Sequence, residues 1–259
     1  MPEGPEIRIM SDFVNTKTID RKFTTIYEVK KGNNPNKFET NFESFTLNSE
    51  FYGKKLIMNV CSGETKIPIY IFMGMSGSIK WTPTEIWNET KYTRLRFDSN
   101  DGNSLLLYGG YMGPKYSFYK PFKGSSNGPD IILDFKVFEE NIMNNLEKST
   151  FNKPIYEVLL DQKYFAGVGN YLRSTILYYA DVNPFLTAKD IIKNENNFLK
   201  LCRDIMQKSY EMNGGQLKDW TNPFKTESDQ FDDWVFYKKG NYIKDKNNRT
   251  FWFDPKWIK

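Results

Sequence analysis

The spacing of apolar residues changes once along this chain, and that change divides it. From about residue 23 to 120 the apolar residues fall in short alternating or continuous runs, Phe23 to Val29, Phe42 to Leu47, Leu56 to Val60, Ile67 to Met73, Ser78 to Trp81, Thr93 to Phe97 and Ser104 to Tyr108, with Gly, Asn, Asp and Pro between them. From about 135 onward the spacing is helical, with Phe138, Ile142 and Leu146 four apart. A period of two presents one face of a strand and a period near 3.6 one face of a helix, so the two stretches cannot share one kind of layer. The expected class is α+β: an N-terminal antiparallel β-sandwich or barrel domain over 1–124, a linker over 125–134 carrying Ser125-Ser126-Asn127-Gly128-Pro129, a helical domain over 135–232 and a terminal β-hairpin over 233–259. A chain of 259 residues has room for these parts.

A leading helix is predicted over 5–16, because Pro5 suits a first helical position and Ile9, Met10, Phe13 and Val14 recur at helical spacing. It sets residues 2 and 3 at a helix N-terminus. In the second half, Asn152 is placed to cap a helix with Pro154 in its first turn. A tight FAGVGN turn follows, then a helix with Tyr171, Leu172, Ile176 and Tyr179, then a third over 187–210. The end, Val235 to Phe253, alternates around turns at 239–241 and 246–248 and reads as a hairpin.

Composition removes several classes of chemistry. Histidine is absent, which excludes Ser-His triads, histidine metal sites and imidazole acid–base catalysis. Cys61 and Cys202 are the two cysteines, too few for a four-cysteine zinc site or a disulfide framework, so no structural metal is expected and a reducing compartment suits the count. No run of 18 apolar residues occurs and MPEGPEIRIM lacks the basic and apolar regions of a secretory signal, so a soluble intracellular protein is expected. The net charge of +4 says little, but residues 234–259 hold Lys238, Lys239, Lys244, Lys246, Arg249, Lys256 and Lys259 against Asp245 and Asp254. An anionic ligand is expected at that end.

Pro2 could carry catalysis. Once Met1 is removed it is a secondary amine, and such an amine condensing with an aldehyde gives a cationic iminium that draws electrons. At the anomeric carbon of a damaged nucleoside it would let the base leave and then acidify the C2′ proton, so that the 3′ phosphate is eliminated. Glu3 beside it can move protons. By themselves these two residues read first as a plain approach to a helix.

In company they are more specific. MPEGPE, Gly53-Lys54, GMSGS at 74–78, FAGVGNYLR at 165–173 and RTFWF at 249–253 stand in one order, and with them the chain resembles the formamidopyrimidine-DNA glycosylase and endonuclease VIII family, closest over 152–178. The resemblance implies a β-sandwich, a helix-two-turn-helix module, a zinc-finger-like hairpin and damaged DNA as partner, double-stranded with single-stranded DNA left open. It implies a monomer without membrane contact, at work in the nucleus or wherever the genome is replicated. No cofactor is implied, because the secondary amine supplies the electrophile. The hairpin holds no cysteine, as in the zincless Nei-like branch, and Trp234, Phe236, Tyr242, Phe251, Trp252 and Phe253 could pack in place of metal, most of them as core.

Residue by residue, Pro2 matches the family's nucleophile, Glu3 its acid, Glu6 a second acidic position that is equally readable as a solvated first-turn residue, and Lys54 a lysine on a β-turn that contacts phosphate. Gly167, Gly169 and Asn170 match the turn that grips the phosphate backbone, where glycines permit close approach and a helix offers free N–H groups. Arg249 matches a hairpin arginine on phosphate, and Met75 the residue that fills the gap left by a flipped nucleotide. No metal ligands are expected. The family's paired arginines are missing from LLYGGYMG at 106–113, where Tyr111 or Met112 are candidates to insert, and GGQLKDW at 214–220 is altered in its polar residues. The expected function is excision of oxidised pyrimidines or ring-opened purines with strand cleavage by β- or β,δ-elimination, in base excision repair. The alternatives are a damage-binding clamp that has lost catalysis and an unrelated anion-binding protein.

Overall fold

The runs with two-fold spacing form antiparallel sheets. In the computed structural model, which describes residues 1–30, 34–89, 92–123, 127–225, 230–232 and 235–257, β1 (Phe23–Lys30), β2 (Asn34–Phe38), β6 (Ser78–Pro83), β7 (Thr93–Ser99) and β8 (Asn103–Tyr108) make one sheet in the order β2-β1-β7-β8-β6. A second sheet holds β3 (Thr46–Tyr52), β4 (Lys55–Ser62), β5 (Thr65–Phe72) and β9 (Lys115–Phe118) in the order β3-β4-β5-β9. Register follows the buried face: β5 pairs with β4 from Phe72 opposite Lys55 to Thr65 opposite Ser62, and Ile67, Ile69 and Ile71 all point into the core. Full burial of such a side chain contributes about 1.5–3 kcal/mol. A slip of one residue would turn all three to solvent.

Two strands and part of a third escape the periodicity. β2 and β9 lie at sheet edges, β2 carries Pro35 and Lys37, and β9 has only four residues. Even so they close the sandwich, with Phe38 stacked on Phe118 at 4.1 Å and 6°. β3 begins at Thr46 and runs to Tyr52, later than the predicted Phe42 to Leu47, because one of its inward residues is polar. Ser49 is buried, its N–H donates to Asn15 Oδ1 at 2.7 Å and its hydroxyl to the Ser11 carbonyl at 2.9 Å. These partners come from α1 (Gly4–Thr18), the predicted leading helix extended at both ends.

The helical part contains α2 (Phe135–Asn145), α3 (Ile155–Val158), α4 (Asn170–Ala180), α5 (Ala188–Asn194) and α6 (Phe198–Glu211), followed by the hairpin β10 (Asn241–Lys244) and β11 (Thr250–Phe253). Phe138 and Ile142 are fully buried, as their spacing requires. The helix predicted over 187–210 is two helices: Thr187 caps α5 by accepting from the Asp190 N–H, and the path breaks at Glu195, with φ −106° and ψ 87°, among Asn194, Asn196 and Asn197, which are weak helix formers. Asn152 does not cap α3. It closes a 3-10 turn over Ser149–Asn152, and Pro154 takes the cap position of a helix one turn long.

The chain forms two compact units that are not contiguous in sequence: residues 1–2, 6–125 and 216–228 in the first, and 3–5, 126–215 and 229–259 in the second. Stretch 216–228 thus joins the first unit from within the span 135–232 expected to be one helical domain. The stretch expected as a linker is packed where it is described: Ile131 is fully buried, and Asp130 Oδ1 accepts the N–H groups of Ile132 and Leu133. Ser125, Ser126 and Trp234 lie outside the described residues.

Candidate active site

In the second unit the FAGVGN turn exists to bring a carboxylate onto a helix end. Gly167 adopts φ +93°, a conformation that favours glycine, its N–H donates to Gln162 Oε1 at 3.1 Å, and its carbonyl accepts the Gly4 N–H at 2.9 Å. Gly4 has no room for a side chain, since a Cβ there would lie 2.7 Å from Met206 Cε and 3.2 Å from Gly167 Cα. That close approach delivers Glu3 to the start of α4. Its carboxylate accepts three backbone N–H groups, Gly169 at 2.6 Å, Tyr171 at 3.0 Å and Leu172 at 3.3 Å. These are first-turn donors with no partner inside the helix, and the helix dipole favours an anion there. Glu3 is 3% exposed, and Pro2, peptide-bonded to it, is buried.

At the start of α4 and one turn along it, Asn170 and Arg173 hold the hairpin. Asn170 Nδ2 donates to the Thr250 carbonyl at 2.8 Å and its Oδ1 accepts from Arg173 Nη2. Arg173 is wholly buried: Nη1 donates to the Tyr156 carbonyl at 3.2 Å and to Asp245 Oδ2 at 3.3 Å, and the guanidinium lies 4.7 Å from the Phe251 ring centroid. Burial lowers the Arg173 pKa to about 10, against the pull of Asp245. Asp245 in turn shapes the hairpin tip, accepting the N–H groups of Asn247 and Arg249 at 2.9 Å each. Burial pushes the Asp245 carboxyl up, but those two N–H donors and the Arg249 and Arg173 charges outweigh it and leave it below the usual carboxylate value. Arg249 Nε sits 3.3 Å from Asp245 Oδ2 with its side chain 48% exposed, so the guanidinium is anchored at one side and open at the other. Tyr237 closes the group: burial, then the Glu3 charge, push its hydroxyl up to about 12, while a hydrogen bond with Asn170 opposes them.

The remaining candidates lie in the first unit. Glu6 is fully buried, which removes the solvated reading of that residue. Lys54 is the second residue of the two-residue loop joining β3 to β4, where Tyr52 faces Lys55 and Gly53 supplies φ +57°. Met75 stands on a turn locked to the 109–113 loop: its N–H donates to the Met112 carbonyl at 2.8 Å, and the Gly110 N–H donates to Ser76 Oγ at 3.0 Å. Met75, Tyr111 and Met112 are 38%, 96% and 58% exposed, three large apolar side chains presented by one braced pair of loops.

Within the second unit, then, the fold assembles Glu3, Gly167, Gly169, Asn170 and Arg249 of the predicted residues. In the first it gathers Met75 with Tyr111 and Met112, while Lys54 occupies a separate hairpin. Sequence reasoning missed Gly4, Arg173, Tyr237 and Asp245 as site residues; the visible trace was a lone arginine among the apolar residues of α4. Of the hairpin aromatics, Phe251 and Phe253 are buried and Tyr156 stacks on Phe251 at 4.9 Å, whereas Tyr242 is 65% exposed. Among the described residues no group of three or more His, Cys, Asp or Glu is placed to hold a metal ion. None of the described helices is long and apolar enough to cross a membrane.

Comparison with known proteins agrees with this layout. Residues 1–109 match the formamidopyrimidine-DNA glycosylase N-terminal domain and residues 128–221 the formamidopyrimidine-DNA glycosylase H2TH domain. Endonuclease 8-like 1 of Homo sapiens is 32% identical over 211 residues, 74% of this chain and 51% of that protein, so the chain spans about half the length of this relative. Endonuclease 8 of Salmonella arizonae is 29% identical over 247 residues, 93% of this chain and 89% of that one. The Thermus thermophilus MutM (Fpg) protein superposes with a TM-score of 0.78 at 17% identity, covering 99% of this chain and 98% of its own. A Lactococcus lactis FPG mutant, solved with a Fapy-dG containing DNA, gives 0.76 at 19% identity and 99% coverage of both chains.

Proposed function

The chain belongs to the formamidopyrimidine-DNA glycosylase and endonuclease VIII family, and from that premise we propose that it is a bifunctional DNA glycosylase and abasic-site lyase of base excision repair, acting on oxidised pyrimidines or ring-opened purines. The observation that carries the proposal is the fixed Glu3 carboxylate, held by three N–H groups of α4 and covalently next to Pro2. A proton-transfer group beside a nucleophile must be held within hydrogen-bond reach of the reacting atoms, and here the backbone of a helix end fixes it.

With Met1 removed, the Pro2 nitrogen attacks C1′ and the base departs with a proton. The sugar C1′–O4′ bond then opens, O4′ taking a proton supplied through Glu3, and the nitrogen lone pair completes the iminium. Loss of the C2′ proton expels the 3′ phosphate, giving β-elimination, and a second elimination would release the 5′ phosphate. Lys54 and Arg249 contact phosphates; the Gly169, Tyr171 and Leu172 N–H groups at the glycine turn are taken by Glu3. Met75, with Tyr111 and Met112, fills the space vacated by the flipped nucleotide; an apolar wedge has no charge to desolvate. With no arginine pair in the 106–113 loop to read the opposite base, single-stranded DNA is proposed as a substrate alongside duplex.

Borohydride tests this reading, because it reduces an iminium to a stable amine. An oligonucleotide with one abasic site should become covalently attached to wild-type protein whose N-terminus is verified by mass as Pro2, and should not attach to Pro2→Gly or to protein retaining Met1. Binding without attachment by fully processed protein would overturn catalysis and leave a damage-binding clamp.

A further inference from the structure

In the first unit, the loop that carries Tyr111 and Met112 stands beside a strand that breaks its own register. β7 pairs with β8 from Thr93 opposite Tyr108 to Leu95 opposite Leu107, two residues on one strand against one on the other, so Arg94 is the extra residue of a β-bulge. A bulge bends its strand and re-aims the side chain it carries. The backbone just before it is also unusual: Tyr92 takes φ +63°, a costly conformation for a bulky aromatic residue, and keeps 54% of its surface open. The Tyr92 carbonyl accepts from Arg94 Nη1 at 3.3 Å and from the Gly109 N–H at 3.3 Å. Gly109 follows the last residue of β8 and opens the 109–113 loop.

Arg94 therefore stands at one foot of that loop, and its charge reaches the other. Tyr116 lies on β9, where the chain leaves the loop. Burial, then the Glu28 charge and a hydrogen bond to Glu28, push the Tyr116 hydroxyl up to about 12, while the Arg94 charge pulls it down. The phenol keeps its proton and donates it to the Glu28 carboxylate. Arg94 is half-buried, and its guanidinium, which carries five N–H donors, is fixed by the Tyr92 carbonyl through one nitrogen.

We propose that Arg94 holds a phosphate of the DNA strand opposite the flipped nucleotide. On the DNA-binding reading above, Met75, Tyr111 and Met112 fill the space of that nucleotide and so face the partner strand, and this placement of Arg94 depends on that reading. A loop inserted into a duplex has its tip among the bases and its foot at the edge of the groove, where backbone phosphates pass. At the tip a guanidinium would shed its water among bases; at the foot it meets an anion that its planar fork matches. A bulge and a strained aromatic residue at the foot of one loop are local costs of the kind that persist at binding sites.

Binding to the full-length chain tests the proposal by fluorescence anisotropy, with a duplex carrying one tetrahydrofuran abasic analogue and the same strand alone as probes, from low to moderate salt. The analogue has no aldehyde and forms no iminium, so the result stands whether or not the lyase reading does. Arg94→Gln and Arg94→Ala should weaken duplex binding about three- to tenfold at low salt and lower the slope of log affinity against log salt by about one, with the single strand held as before. Arg94→Lys, which keeps the charge, should restore the slope. A role confined to bracing the loop would leave the salt slope unmoved in all three variants, and that outcome would overturn the proposal. So would an equal loss on the single strand, which would put Arg94 on the lesion's own strand, or a loss that varies with the base opposite the analogue, which would make it a base contact.

Discussion

The Arg173 guanidinium lies 3.3 Å from the Asp245 carboxylate, and both side chains are buried. The pair joins α4, which presents its first N–H groups to Glu3, to the hairpin that carries Arg249. Removing one partner of a buried ion pair strands the other, at a cost of about 3–5 kcal/mol. Arg173→Ala should therefore unfold at markedly lower urea, and Asp245→Ala similarly; an unchanged midpoint in both would show the pair to be energetically idle.

The same carboxylate gives a pH dependence. Folding lowers the Asp245 pKa, so below pH 4 the unfolded chain binds the extra proton, and the stabilisation is complete above the unfolded value and lost as pH falls through the folded one. The stability difference between wild type and Asp245→Asn should shrink as pH falls from about 5 towards about 2. Urea midpoints across that range measure it, and a constant difference would contradict the assignment.

Gly74 sits at φ +64°, and a Cβ there would lie 2.4 Å from the Met112 carbonyl oxygen. Gly74→Ala should destabilise the protein by about 1–3 kcal/mol and disturb the loops carrying Met75, Tyr111 and Met112. Its abasic-site cleavage should then fall further on duplex than on single strands.

Substituting the wedge residues should separate the two substrates directly. Met75→Ala with Tyr111→Ala is expected to slow excision from duplex by about ten- to a hundredfold, the scale of a few kcal/mol for one unstacked step, and to leave single-strand cleavage nearly unchanged. Equal losses on both would remove the wedge assignment.

Arg249→Ala should weaken binding to all sequences alike and reduce the slope of log affinity against log salt by about one, as expected for one lost phosphate contact. A titration from low to moderate salt reads this, and an unchanged slope would place Arg249 away from phosphate.

Much of the site could be read before folding because its parts are local. Alternation along 67–71 specifies a strand with three isoleucines inward, and helical spacing at 138, 142 and 146 specifies a buried helix face. Pro2 and Glu3 ahead of a helix, and two glycines before Asn170, are likewise short-range patterns. β2 and β9 escaped because edge strands need no apolar period, and β3 was displaced because Ser49 is buried by hydrogen bonds to α1.

The sequence alone determined which faces of the strongly periodic segments are buried and the chemistry its side chains can perform, since these depend on residues a few positions apart. Only the tertiary structure decided their partners. Glu3 accepts an N–H from 166 residues away, Arg173 meets Asp245 across 72, and residues 216–228 return to the first unit. Periodicity states that a side chain is buried but not against what, and a contact over such distances leaves no local pattern, because it is fixed by the packing of whole elements.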